Sequence, residues 1–471
     1  VTAFLLVVFD GLRPDMIEPA VTPNLVRFAA MGTRFPSARS VFPSETRVCT
    51  ASVTTGCHPR RHGLVANRLA HPEKFGASVD TGDAIALRAL EAELGAPLLK
   101  VPTLGERLAA AGREFAVFSS GSTGQTFVLN PRAEELGQIS INAHGPDHCS
   151  PRGRELFPTL PPVPRGNPPA RAAWIADAFR EKLLPAPPDA SVLWLCEPDT
   201  TAHYGGLNSA AQRDALKITD AAFGRILDDW ERGPHHETLQ IAVASDHGHT
   251  TISGHVAVAA ALDGVPEFQD CVLLSGSSGG ILIPGAVPEK IARAAAWLTR
   301  QDWCGAVLVA RGVDPPPGVL SHEAALIDHP RAAHVLFTLR ADNAMSPAGL
   351  PGTSLEDGSL AVGGGTHGGL SRAEMRTVLM LAGSAIRRGW VSDWPAGLPD
   401  IAPTALALLG LPVGLDMDGR VLVEAFSGGA EATESRSPET WEASGENYSQ
   451  IIARARMGRH VWIDHGDRFA R

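Results

Sequence analysis

The chain is poor in paired cysteine, in basic charge and in long apolar runs, and each shortage argues against a class of protein. Its six cysteines, Cys49, Cys57, Cys149, Cys196, Cys271 and Cys304, are scattered through 471 residues with no Cys-x-x-Cys pair. A dense disulfide framework is therefore not expected, and reduced thiols in a cytoplasmic protein are. A net charge of −10 speaks against a nucleic-acid polymer as partner, since such proteins ordinarily carry a basic surface. It leaves room for a small phosphorylated substrate, because bound metals supply positive charge locally. The opening Val1–Phe9 run is apolar but too short to span a bilayer and has no basic leader. It is expected to be a buried strand, with no membrane partner; a processed periplasmic chain is the alternative to a cytoplasmic one. No internal repeat is found.

What is present is the balance of a globular protein, 44% hydrophobic and 20% charged residues, in a chain long enough for a large core. Residues 3–9 run directly into Asp10-Gly11, the pattern of a central parallel strand with a working loop at its carboxyl end. Pro23–Gly32 has the start and stop of a short helix. Residues 102–112 predict a helix and 114–119 a strand, 142–170 a long surface loop, 168–184 a helix and 191–196 a strand. A long amphipathic helix is expected over 207–231 and a strand over 239–244. These alternations predict an α/β fold: a doubly wound, mostly parallel sheet with helices on both faces, plus a small α+β insert. The expected division is a hydrolase-like core over 1–251 and 351–426, an insert or cap over 252–350 that includes a helix at 321–327, and a linker and arm over 427–471. The core resumes with a strand near 376–382 and a helix near 400–409. The apolar residues of 441–471 need a surface to pack on, and a second subunit in a homodimer is one.

Chemistry gathers at the ends of the predicted strands. Asp199 and His203 stand four apart after one strand, Asp246 and His247 side by side after another, and Asp10 after the first; His367 sits among glycines in Gly363–Gly369. Taken singly, each reads as a turn or capping residue. A doubly wound sheet, however, would bring all these segments to one edge. Three Asp and three His make two mixed nitrogen and oxygen sites, the ligand set expected for two Zn²⁺, with Mn²⁺ or Fe as alternatives. Two such ions suit in-line displacement at phosphorus. Thr46 lies where Pro43-Ser44 leads into a helix ending at Gly56. There the open N–H groups and the helix dipole favour an anion, and a metal-coordinated hydroxyl becomes a nucleophile.

In order along the chain, Asp10-Gly-Leu-Arg13, Phe42-Pro-Ser-Glu-Thr46, Thr55-Gly-Cys-His-Pro-Arg-Arg-His62-Gly, Glu197-Pro-Asp-Thr-Thr-Ala-His203, Ser245-Asp-His-Gly248 and Gly365-Thr-His367-Gly resemble the alkaline phosphatase superfamily, in its nucleotide pyrophosphatase/phosphodiesterase branch. Pro399–Pro412 and Met417–Leu422 fit the superfamily's closing helix and turn. The resemblance spans residues 3–425, loosely over 64–190 and the insert. It implies that Asp199, His203 and His367 hold one zinc, and that Asp10, Asp246, His247 and the Thr46 hydroxyl hold the other. Thr46 would attack phosphorus to give a phosphothreonine, which water then hydrolyses.

Two positions depart from the branch's pattern. An Asn is expected three residues after the nucleophile as a donor to the phosphoryl group, and the chain has Cys49, a poor donor. Arg47 stands where an apolar residue beside a nucleobase is expected, and a guanidinium suits a second anion instead. Arg47, Cys49 and Asn67, the last at the end of the loop that begins at His62-Gly63, are the candidate substrate contacts. The leading expectation is a two-zinc phosphodiesterase acting on a small phosphorylated substrate. Alternatives are a phosphonate hydrolase resembling phosphonoacetate hydrolase, which Arg47 favours, a phosphomonoesterase, and a non-catalytic trap for phosphorylated ligands, which an intact nucleophile argues against. The Cys57-His-Pro59-Arg-Arg61 run imitates a sulfatase motif but follows Gly56, out of place for a nucleophile. His58, His71, His249 and His255 are expected at the surface or behind the ligands.

Overall fold

In the computed structural model, residues 2–157, 166–276, 278–429 and 435–470 are described. The first strand, β1 (Ala3–Phe9), is buried along its whole length. Successive side chains of a strand point to opposite faces, and β1 shows both destinations. Leu5, Val7 and Phe9 enter one core with Phe28, Phe179 and Phe223, while Phe4, Leu6 and Val8 enter another with Val48, Val53 and Ile401. A continuous apolar run is what burial on two faces requires, and each such side chain contributes about 1.5–3 kcal/mol of transfer free energy. The helices Pro23–Met31, Pro168–Lys182 and Ala210–Arg232 cover the first face, and Thr46–Thr55, Leu104–Ala110 and Ile401–Leu408 the second.

The other strands of this sheet are β2 (Thr33–Arg34), β3 (Phe115–Ser119), β4 (Ile139–Asn142), β5 (Ala190–Leu195), β6 (Leu239–Ala244), β7 (Leu379–Ala382) and β8 (Trp390–Val391), in spatial order β8-β2-β7-β6-β1-β5-β3-β4. From β6 to β4 every pairing is parallel, and β7 runs antiparallel to β6. The expected doubly wound α/β sheet is present, with helices on both faces. Because β1, β5 and β6 are parallel neighbours in register, Asp10, Asp199 and Asp246 all leave from the same edge.

Beside that edge lies a four-stranded sheet of Ala341–Met345, Pro351–Glu356, Thr250–His255 and Gly365–Thr366. It delivers His367. Residues 256–339 carry a five-stranded sheet flanked by the helix Pro288–Thr299, with its own apolar centre of Ile281, Leu298, Val307 and Phe337.

Several local expectations need correction. The stretch 142–170 is not one loop: Ser150 caps a helix at Pro151–Leu156, accepting the Gly153 N–H, with Pro151 at the first helical position. Residues 158–165 of that stretch lie outside the described residues. The helix expected at 321–327 is a single 3₁₀ turn, His322–Ala325. The segment expected to be a linker contains the strand Arg436–Ser444, paired antiparallel with Tyr448–Met457, which pairs in turn with His460–Ala470; residues 430–434 lie outside the described set. Here β-pairing overrides a polar composition. The arm's apolar residues pack inside this chain: Trp462 donates to Asp400 Oδ2 at 2.8 Å, and Ile452 and Ile463 join the core around Leu64 and Leu87.

Candidate metal centre and its cavity

Four histidines converge on the carboxyl edge of the sheet by one device. His203 Nδ1 lies 2.7 Å from Gly365 O, His367 Nδ1 2.8 Å from Ser44 O, His249 Nδ1 3.0 Å from Gly11 O and His247 Nδ1 3.1 Å from Gly248 O. A carbonyl only accepts, so each Nδ1 carries the proton and each Nε2 presents a lone pair. Those lone pairs face carboxylates. Asp199 Oδ1 stands 3.2 Å from His203 Nε2, 3.0 Å from His249 Nε2 and 3.4 Å from His367 Nε2. His247 Nε2 stands 3.3 Å from Asp246 Oδ2 and 3.5 Å from Asp10 Oδ1. Lone pair facing lone pair at these distances calls for a cation between them.

The carboxylates make the same demand. Trp194 Nε1 donates to Asp10 Oδ2 at 2.8 Å and the Gly11 N–H to Asp246 Oδ1 at 3.0 Å. The remaining oxygens, Asp10 Oδ1 and Asp246 Oδ2, are buried without a hydrogen-bond partner. Burial first, then the neighbouring carboxylates, pushes Asp10 well above the usual range; burial also pushes Asp246 up to about 8. Asp199 differs. Burial raises it, but His203 leads a group of imidazoles that outweighs burial and holds it well below the ordinary value. Burial drives His247 well below its usual pKa and His249 down to about 4; burial opposes His367, yet Asp199 holds it raised. Two donor groups within 4.8 Å result, Asp199-His247-His249-His367 and Asp10-Asp246-His247, with His203 attached through Asp199. The His247 and His367 rings stack at 3.5 Å and 12°, so the groups abut. The residues fit two divalent cations.

Thr46 is the first residue of the Thr46–Thr55 helix, and its Oγ1 lies 3.2 Å from His247 Nε2. The Arg47 N–H donates to Asn67 Oδ1 at 3.2 Å, which fixes the amide and leaves Asn67 Nδ2 as its donor end. Glu45, at the helix start, accepts from the Asn67 N–H and, at 3.2 Å, from Ser278 Oγ, so it ties the turn before Thr46 to the Asn67 loop and the insert. These groups line a cavity of about 520 Å³ that reaches from Asp10, Thr46 and Asp199 to Leu274, Gly279 and Arg331 of the insert. Arg47 lines it, its Nε donating to Thr81 Oγ1 at 3.4 Å.

Cys49, expected to touch substrate, does not line this cavity. It is fully buried between its helix and the sheet, its Sγ 3.2 Å from Ser40 Oγ, which itself donates to Asp246 O. Cys49 stands nearly a full turn further along the helix than Thr46, where its thiol packs into the core beside Val8 and Val53. The amide at the cavity is Asn67 instead. His249 was given no specific place by the sequence. Its position two residues beyond His247 was the available signal, since alternate residues leaving a strand share a side. His58, whose Nε2 donates to Val461 O at 2.9 Å, is buried and belongs to neither donor group.

A mostly parallel sheet with this donor set at its carboxyl edge and a hydroxyl at an adjoining helix start belongs to the alkaline phosphatase-like hydrolases. Within them, the chain belongs to the type I phosphodiesterase/nucleotide pyrophosphatase family, whose sequence model matches residues 4–301. A venom phosphodiesterase of Macrovipera lebetinus is 24% identical over 255 residues, 53% of this chain and 26% of that protein. Human ectonucleotide pyrophosphatase/phosphodiesterase family member 7 is 25% identical over 285 residues, 59% of this chain and 56% of that protein. The chain thus spans about a quarter to a half of these relatives' length. Murine ectonucleotide pyrophosphatase/phosphodiesterase 5 has the same fold, with a TM-score of 0.61 at 18% identity, covering 91% of this chain and 100% of that one. An inactive variant of it in complex with AMP gives 0.58 at 18% identity, over 88% and 96%.

Proposed function

We infer that the chain hydrolyses small phosphate diesters with Thr46 as nucleophile. The observation that carries this reading is the Thr46 hydroxyl, at the start of a ten-residue helix, 3.2 Å from the imidazole that joins the two donor groups. Asp199, His203 and His367 would hold one Zn²⁺, and Asp10, Asp246 and His247 the other. Bound there, the ions supply Lewis acidity at the attacking and leaving oxygens.

The chain's own residues do the rest. Thr46 Oγ1 attacks phosphorus, forming the threonyl ester as the bond to the leaving oxygen breaks; the alcohol departs, and water then cleaves the ester and restores the hydroxyl. The first-turn N–H groups and the Asn67 amide receive the non-bridging oxygens. The insert contributes Leu274, Gly279 and Leu336 to the cavity wall, which lowers the local polarity around these contacts.

Zinc-loaded protein is expected to release nitrophenol from bis(p-nitrophenyl) phosphate faster than from the monoester. Preference for the monoester would overturn the reading. A second reading, a phosphonate hydrolase, is favoured by Arg47 on the cavity wall, whose recorded side-chain bond is to a neutral hydroxyl. Phosphate release from phosphonoacetate, without turnover of the diester, would select it.

A further inference from the structure

Beyond the metal ligands, the cavity is edged by Arg47, Arg68, Arg171 and Arg331, none in an ion pair among the described residues. Arg331 spends Nη1 on Leu98 O and Gly63 O, and Arg68 turns to Ser78 at the rim. Arg171 is placed differently. It rises from the first turn of the Pro168–Lys182 helix, donating from Nε to Ser120 O at 3.1 Å and from Nη2 to Cys196 Sγ at 3.7 Å. Ser120 follows β3 and Cys196 follows β5, so the guanidinium is laid across the ends of two adjacent strands, three residues before Asp199. Its neighbours are a carbonyl and a thiol. The carboxylate that feels its charge, Glu197, has its oxygens on the Thr201 N–H and hydroxyl. Burial pushes the Cys196 thiol up to about 11, so it stays neutral beside the guanidinium.

The hydrogen bonds of this half-buried guanidinium go to neutral acceptors, and among the described residues Nη1 donates to none. A guanidinium edge of this kind takes an oxyanion. We propose that Arg171 forms a subsite for a second oxyanion, a carboxylate or phosphate, carried on the departing fragment of the substrate. This rests on the phosphoryl-transfer reading above: with Thr46 attacking in line from beside His247, the leaving oxygen lies opposite it, toward the Asp199 group. Arg47 follows Thr46 in the helix, while Arg171 is held at Cys196, on the segment that leads to Asp199, so the two cations serve different ends of the substrate. The preferred leaving group is then a small charged molecule rather than an apolar alcohol.

Calorimetric titration of zinc-loaded wild type, Arg171→Ala and Arg171→Lys with methylphosphonate, phosphonoacetate and propane-1,3-bisphosphonate tests this. In the wild type the two-anion ligands should bind more tightly than methylphosphonate, and Arg171→Ala should reduce that ratio about tenfold or more. Arg171→Lys, which keeps the charge without the fork, should fall between. A loss confined to phosphonoacetate assigns a carboxylate, and one confined to the bisphosphonate a phosphate. Equal weakening of all three ligands, or no change in the ratio, overturns the subsite and leaves the arginine as a tether between helix and sheet. Failure of methylphosphonate to bind the wild type overturns the phosphoryl reading, and the subsite with it.

Discussion

The two halves of the metal centre are built from similar residues and solve opposite electrostatic problems. Asp10, Asp246 and His247 hang from the ends of β1 and β6, buried with Asp10 at the floor of the cavity, and two of their carboxylate oxygens have no hydrogen-bond partner among the described residues. Asp199, His203 and His367 border the cavity, with side chains 8–18% exposed, and Asp199 is already surrounded by imidazoles. Without a cation, burial and the neighbouring carboxylates oppose ionisation of the first half, which therefore holds protons; the second partly neutralises itself. Rigid strand ends can hold repelling charges together because the sheet opposes their separation. A site that crosses from a short helix to the end of the four-stranded sheet has no such frame, and Asp199 serves as its centre instead.

Thr46 joins the halves, and its loss should be the largest effect. Thr46→Ala is expected to lower kcat/KM roughly a thousandfold or more while retaining two zincs per chain by elemental analysis. Substantial residual turnover would sink the covalent route. Next comes metal removal. Chelation should abolish activity, with zinc restoring it, and stability of the chelated protein separates the halves. Asp246→Asn removes a carboxyl that the metal-free fold must protonate and should stabilise that form by on the order of 1 kcal/mol; Asp199→Asn removes the negative charge facing three imidazoles and should destabilise it by a similar amount. Each should cost one bound zinc. Destabilisation by both would erase the distinction.

The halves should also differ in pH dependence. Burial raises Asp246 to about 8 in the metal-free fold, so the fold keeps a proton that the unfolded chain has released above about 4. Its stabilisation is complete below pH 4 and is lost as pH rises toward 8. Asp199 is shifted down; its contribution is present above pH 4 and lost only on acidification below that. Thermal midpoints of chelated protein should therefore fall between pH 5 and 8, and Asp246→Asn should flatten that slope where Asp199→Asn does not.

How much of this was legible follows from the same contrast. The buried half could be read from the chain because a run such as Ala3–Phe9 fixes both a strand and the direction in which Asp10 leaves it. Asp199, His203 and His367 were found as residues, but their convergence on a single oxygen depends on the four-stranded sheet that carries His367, and nothing local encodes it. His249 was missed because burial, rather than residue type, makes it part of the centre. Arg436–Ser444 was expected to be a linker because most of its side chains face solvent; nine paired positions with the next strand hold it. Arg171 and Arg331 reach the cavity from elements distant in sequence, and periodicity carries no information about that.

His249→Ala probes whether the open half needs its buried support. The ring accounts for one of the three imidazole contacts of Asp199, and its removal should weaken zinc binding at the Asp199 site about 10–100-fold, read by competition with a metallochromic chelator. The Asp246 site should change little. Equal weakening of both sites would mean that the ring stack of His247 on His367 couples them into one.

Cys49 sets the lower end of the scale. It is the third residue after Thr46 and lies on the core side of the same helix, so a variant there separates proximity in sequence from participation in the site. Burial pushes its pKa well up, so the thiol stays protonated. Ser40 spends its own hydrogen on Asp246 O, which leaves the Cys49 S–H as donor to Ser40 Oγ. Cys49→Ala removes that weak bond and a sulfur's worth of packing, a cost of about 1 kcal/mol, measurable as a small drop in the denaturation midpoint. KM and kcat should stay within about twofold, because Asn67 lines the cavity and position 49 does not. A rise in KM well beyond that, with stability unchanged, would return Cys49 to the substrate and show that the groove behind the helix opens during turnover.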